Sequence, residues 1–170
     1  VPTFICVSQA LEAEWFNVSK MVLHRCFPNK TTFLAACKSG HPALVQHLWQ
    51  EYYFPVNDRT NKGLTALMVP RLKSPRAVYE YLLRECKMDA SLDDYTGETA
   101  LHKYLHNKPT VRVIEMMELM VEHGASLHAT TFNENTLLHL APNVVIARYL
   151  IEKGLNPKAK NCAGIIPISV

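Results

Sequence analysis

The chain has 170 residues, 48% hydrophobic and 19% charged, which is enough to bury one globular domain or one short repeat array and excludes wholesale disorder. Its formal net charge of +3 is too small to name a nucleic-acid or membrane partner. No run of about 18 apolar residues occurs, so no membrane-spanning helix is predicted.

The chain opens Val1-Pro2-Thr3-Phe4-Ile5, which does not read as a signal peptide. Leu11, Trp15, Val18 and Val22 follow at helical spacing and predict one amphipathic helix within residues 1–30. The five cysteines, Cys6, Cys26, Cys37, Cys86 and Cys162, are odd in number and widely spaced. Disulfide frameworks and zinc sites need paired or closely spaced sulfurs, so reduced thiols in the cytoplasm or nucleus are expected. Cys37 is expected in the core.

From residue 31 the chain repeats itself. Thr31-Thr32-Phe33-Leu34, Thr65-Ala66-Leu67-Met68, Thr99-Ala100-Leu101-His102 and Thr136-Leu137-Leu138-His139 are four copies, and Ile166-Pro167-Ile168 is a partial fifth. Successive copies lie 34, 34, 37 and 30 residues apart. Each is followed by an apolar helical pattern around Leu44–Trp49, Val78–Leu83, Met116–Val121 or Ile146–Ile151. Gly124 and Gly154 stand where a helix ends in a left-handed cap.

These segments resemble the ankyrin family, whose unit reads G-x-T-P-L-H, then G-H, then an apolar helix and G-A. Gly63-Leu64-Thr65-Ala66-Leu67, Gly97-Glu98-Thr99-Ala100-Leu101-His102, Gly40-His41 and His123-Gly124-Ala125 carry the likeness. The resemblance implies an all-α ankyrin-repeat solenoid of stacked helix-turn-helix units with short projecting β-hairpin loops. About four and a half repeats would fill residues 31–170, with residues 1–30 as a capping helix or degenerate repeat. The first-position threonine is expected to cap each first helix, with the leucine two places on entering the core.

The sequence departs from the family pattern in several places. Only Pro167 keeps the proline, Met68 stands in place of histidine, and Pro70 should shorten or bend the second unit's first helix. Extra residues around His106-Asn107-Lys108-Pro109 predict a longer loop, and Pro142 should end the fourth unit's first helix early. Tyr52, Tyr53 and Phe54 are expected to pack rather than to bind.

No catalytic or phosphate-cradling motif is present. His102 and His106 lie four apart but lack a third ligand, so no metal and no cofactor is predicted. The resemblance implies that another protein or peptide, and not a small-molecule substrate, nucleic acid or membrane, meets the loop tips and the outward side of the first helices. Carried over by position, the tips give Arg59, Asn61, Lys62, Leu64, Asp94, Tyr95, Glu98, Phe132, Asn133 and Asn135. The first helices give Lys38, Leu72, Lys73, His106 and Asn107. Tyr95 and Phe132 are the favoured anchors, since binding hot spots favour large rings. The expected role is scaffold, adaptor or inhibitor. The alternatives are a regulatory arm of a larger enzyme or channel, or a viral host-interaction ankyrin protein.

Overall fold

The computed structural model describes residues 29–52, 54–69, 76–107 and 112–167. The expectations for residues 1–28, Tyr53, Leu72 and Lys73 lie outside these residues. Among the described residues there are six α-helices and two short 3-10 turns. They are α1 (Lys30–Ser39), α2 (Pro42–Glu51), the turn Ala66–Met68, α3 (Arg76–Arg84), α4 (Ala100–His106), α5 (Val113–Glu122), the turn Leu137–Leu140 and α6 (Val144–Glu152).

The elements pack in two rows. One row runs α1, the Ala66–Met68 turn, α4, the Leu137–Leu140 turn. The other runs α2, α3, α5, α6. Rungs join the rows where α1 meets α2, the first turn meets α3 and the second turn meets α6. Between the rows lies one continuous apolar core. Phe33, Leu67, Leu101 and Leu138, each two residues after a repeat threonine, are all buried in it. Elements of three to ten residues are too short to hold themselves in water, so this packing supplies their stability.

Local sequence sets the ends of each element. Pro42 opens α2 at a position whose amide would have no helical partner. Asn143 starts α6, its side chain accepting from the Ile146 amide at 3.0 Å. α1 differs from expectation: its cap is Asn29, accepting from the Thr32 amide at 3.1 Å, and Thr31 lies inside the helix. A side-chain acceptor two residues earlier starts the helix earlier. Gly40, Gly124 and Gly154 follow helices with φ of 79°, 96° and 94°, a conformation that a Cβ disfavours.

The two proline-marked units are shortened as the sequence implies. The second unit's first element is only the turn Ala66–Met68, before Pro70. The fourth unit's is the turn Leu137–Leu140, before Pro142. α4 ends at His106, and residues 108–111 of the predicted longer loop lie outside the described residues. Phe54 stacks on Phe33 with centroids 4.8 Å apart, Trp49 packs on the same ring, and Tyr52 packs against the core, which gives Tyr52 and Phe54 packing roles.

A threonine–histidine pair is built into two units. The Thr99 amide donates to His102 Nδ1 at 3.3 Å, and the Thr136 amide to His139 Nδ1 at 3.1 Å. An accepting Nδ1 leaves the proton on Nε2. In His139 that nitrogen reaches the Ile165 carbonyl at 3.1 Å, tying the unit to the next loop. The second unit has Met68 at this place, and the buried Thr65 hydroxyl has no hydrogen-bond partner among the described residues. Met68→His should restore the pair and stabilise the chain by about 1 kcal/mol. A thermal midpoint that stays level or falls in the variant would contradict this account.

Candidate partner-binding surface

Three loops precede first-row elements and a fourth follows α6, and one pattern builds each. The backbone closes from Thr60 to Leu64, Asp94 to Glu98, Thr131 to Asn135 and Asn161 to Ile165, at 2.9 to 3.0 Å. The first residue's side-chain oxygen accepts from the amide four residues on in every case, at 3.0, 3.0, 3.2 and 2.9 Å. Threonine, aspartate and asparagine serve equally because the turn needs only a short side chain with an acceptor oxygen. Among the described residues the only β pairing is an isolated bridge between Asp93 and Thr99. The loops are tight turns with no extended strands.

Adjacent tips are locked together by the backbone. The Tyr95 amide donates to the Lys62 carbonyl at 3.2 Å, Phe132 to Thr96 at 3.0 Å, and Cys162 to Asn133 at 3.0 Å. At the first two of these contacts the close approach demands glycine beneath the incoming residue. A Cβ on Gly63 would lie 2.7 Å from the Tyr95 nitrogen and 2.8 Å from its ring. On Gly97 it would lie 2.8 Å from both the Phe132 nitrogen and its ring. Each ring therefore sits against the preceding tip, yet Tyr95 remains 62% and Phe132 70% exposed. Glu134 takes the same left-handed conformation, φ 58°, at the register where Gly63, Gly97 and Gly164 stand in the other tips.

Asp94 departs from its expected place on the tip surface. It is 5% exposed, since it also accepts from the Thr96 amide and hydroxyl and pairs with Lys103 at 2.7 Å. Burial alone would raise its pKa; Lys103, Thr96 and the Glu98 amide outweigh that and hold the carboxyl at about 2. Glu98 is half-buried and pairs with Lys103 and with His106, the latter at 3.2 Å. Leu64 is half-buried against the core. Arg59 pairs with Asp93 at 3.6 Å across two tips. Asn135 accepts from the Asn161 side-chain amide at 2.8 Å. The Asn107 side chain donates to the Lys103 carbonyl at 3.0 Å.

Asn61, Lys62, Tyr95, Phe132, Asn133, His106 and Lys38 are exposed. The structure thus brings together a row of tips whose outer positions are Lys62, Tyr95 and Phe132, while Lys38 and His106 lie on α1 and α4. Reading the last copy as a fragment missed Lys160, Cys162 and Ile165, which are exposed on the fourth tip. The signal for them was the register itself. Cys162 follows Phe132 by 30 residues, and Lys160 holds the place of Arg59 and Asp93. Cys37 and Cys86 are buried thiols; burial first, with a further contribution from Glu85, pushes Cys86 up to about 12. Such thiols are unreactive. No cluster of three His, Cys, Asp or Glu side chains able to hold a metal occurs among the described residues.

No protein-family model matches the chain. Relatives do. Mouse Ankyrin repeat domain-containing protein 53 is 28% identical over 130 residues, covering 76% of this chain and 26% of that protein. Its human counterpart is 32% identical over 81 residues, covering 48% and 15%. The mouse B-cell lymphoma 3 protein homolog is 28% identical over 161 residues, covering 91% and 34%. Repeat register, paired elements and relatives together support the ankyrin-repeat family. The chain spans between 15% and 34% of the length of these relatives. No helix among the described residues is long and apolar enough to cross a membrane.

The glycine geometry separates two costs. A Cβ at Gly164, φ 74°, would meet nothing within 4 Å. Gly164→Ala should cost about 1 kcal/mol, the left-handed penalty alone. Gly97→Ala should cost about 1–3 kcal/mol more, because the Phe132 backbone must also move. Equal losses in denaturant titrations would show that the tips are not in contact at Gly97.

His102 gives a pH test. Burial lowers its pKa, opposed by the Asn135 backbone and the Glu98 charge. The unfolded chain then binds the proton first, so stability is present above about pH 6.5 and falls as pH drops below it. His102→Gln should be less stable than wild type at pH 7, and the gap should narrow by pH 5. A gap independent of pH would mean the ring titrates alike in both states.

Proposed function

We propose that this chain is a protein-interaction module: an ankyrin solenoid over residues 31–170, with residues 1–30 as a capping helix or degenerate repeat, that holds a partner protein against its loop tips and first-row elements. The observation that carries this reading is the pair of large rings, Tyr95 and Phe132, held mostly exposed on tips locked by backbone hydrogen bonds. Large apolar rings in water have unfavourable hydration, and a rigid mount reduces the ordering cost of docking. The mechanism is surface complementarity, with no bond made or broken, and the chain acts as a scaffold, adaptor or inhibitor. The buried Cys37 and Cys86 thiols suit a reducing compartment, cytoplasm or nucleus.

The test is an affinity capture from cell lysate with wild-type chain and the Tyr95→Ala, Phe132→Ala double variant. Both rings are more than half exposed, so the variant should keep its thermal midpoint within about 1 kcal/mol of stability. It should lose proteins that wild type captures. If a folded double variant captures the same proteins at the same level, binding does not run through these tips.

A further inference from the structure

The charges along the tips are unequally used. Asp58 pairs with Lys30 at 2.9 Å, Asp93 with Arg59, and Asp94 and Glu98 with Lys103. Among the described residues no carboxylate pairs with Lys62, Lys158 or Lys160, and all three are exposed. Most of the acidic side chains on this side are thus neutralised within the chain, and the surplus is cationic. Glu134, beside Phe132, is the exposed exception.

The order along the row is specific. Each tip lies against the next through its backbone, so the second, third, fourth and fifth units present Lys62, Tyr95, Phe132 and Lys160 in turn. Thr96 and Asn133, at the register of Lys62 in the two middle tips, are neutral. The surface therefore has two apolar rings at its centre and unpaired cations at its ends.

Resting on the tip-binding reading above, we infer that the row takes an extended acidic peptide segment of a partner protein, with apolar side chains at its middle and carboxylates toward both ends. The rings shed water against the apolar middle. The lysines attract the flanking carboxylates and fix the segment's place along the row. Each lysine–carboxylate pair is weak alone, since it stays in water, so the rings supply affinity and the lysines selectivity. Single-stranded nucleic acid fits less well. It needs cations tracking a continuous phosphate backbone beside the stacking rings, and here the positions beside the rings are neutral or, at Glu134, negative.

The experiment selects from a displayed library of random peptides of about twelve residues on the 170-residue chain. Recovered peptides should carry Asp or Glu on both sides of an apolar pair. A synthetic copy of the best one should bind about tenfold or more weakly to Lys62→Glu, Lys160→Glu chain and to the Tyr95→Ala, Phe132→Ala chain, and more weakly in high salt. Both lysines are exposed, and circular dichroism verifies that each variant is folded. Recovery of neutral or basic peptides, or of none, overturns the inference. So does an oligothymidylate probe that binds more tightly than the acidic peptide. Failure of the two readings is separable with the lysate partners. If ring loss abolishes their capture and charge reversal leaves it intact, only the acidic specificity falls. If neither variant alters capture, the tip-binding reading falls with it.

Discussion

Everything in this structure depends on side-by-side stacking of units that cannot stand alone. The Ala66–Met68 turn has three residues and the Leu137–Leu140 turn four. Neither could persist in water, because nucleating a helical turn costs more than so few hydrogen bonds return. They persist because their apolar side chains are buried against neighbouring elements of both rows. The same dependence runs the length of the chain, and it makes the array's stability a sum of small interfaces.

Two devices turn stacking into register. One is the backbone contact between tips, in which an amide of one unit meets a carbonyl of the previous one, over a glycine at Gly63 and Gly97. The other is the threonine–histidine pair, whose ring orders its own unit through Nδ1 and, at His139, reaches the next loop through Nε2. Both act across unit boundaries, so they fix the spacing of the tips without strands. A surface assembled in this way exposes side chains on turns that are hydrogen-bonded to their neighbours.

The same geometry divides the tip residues into two kinds. Positions at the start of each turn, Thr60, Asp94, Thr131 and Asn161, are consumed by their own loop. Positions one and two residues later point to solvent and vary freely in chemistry, from Asn61 and Lys62 to Tyr95 and Phe132. Turn closure and solvent exposure thereby fall on adjacent residues.

The sequence by itself determined the period, the paired elements, the buried residue two places after each repeat threonine, and the shortened elements at Pro70 and Pro142. These are legible because helical periodicity, backbone caps and proline sterics act over a few residues. It did not determine that Asn29 would displace Thr31 as the cap of α1, that Asp94 would turn inward to Lys103, or that Arg59 would be taken by Asp93. It also left unread the glycines as seats for the next tip's ring, and the lysines that remain unpaired. The ring seats and the Arg59–Asp93 pair are contacts between units about a repeat apart, decided only when stacking brings the tips together, whereas the Asn29 cap and the Asp94–Lys103 pair are choices among competing partners within one unit.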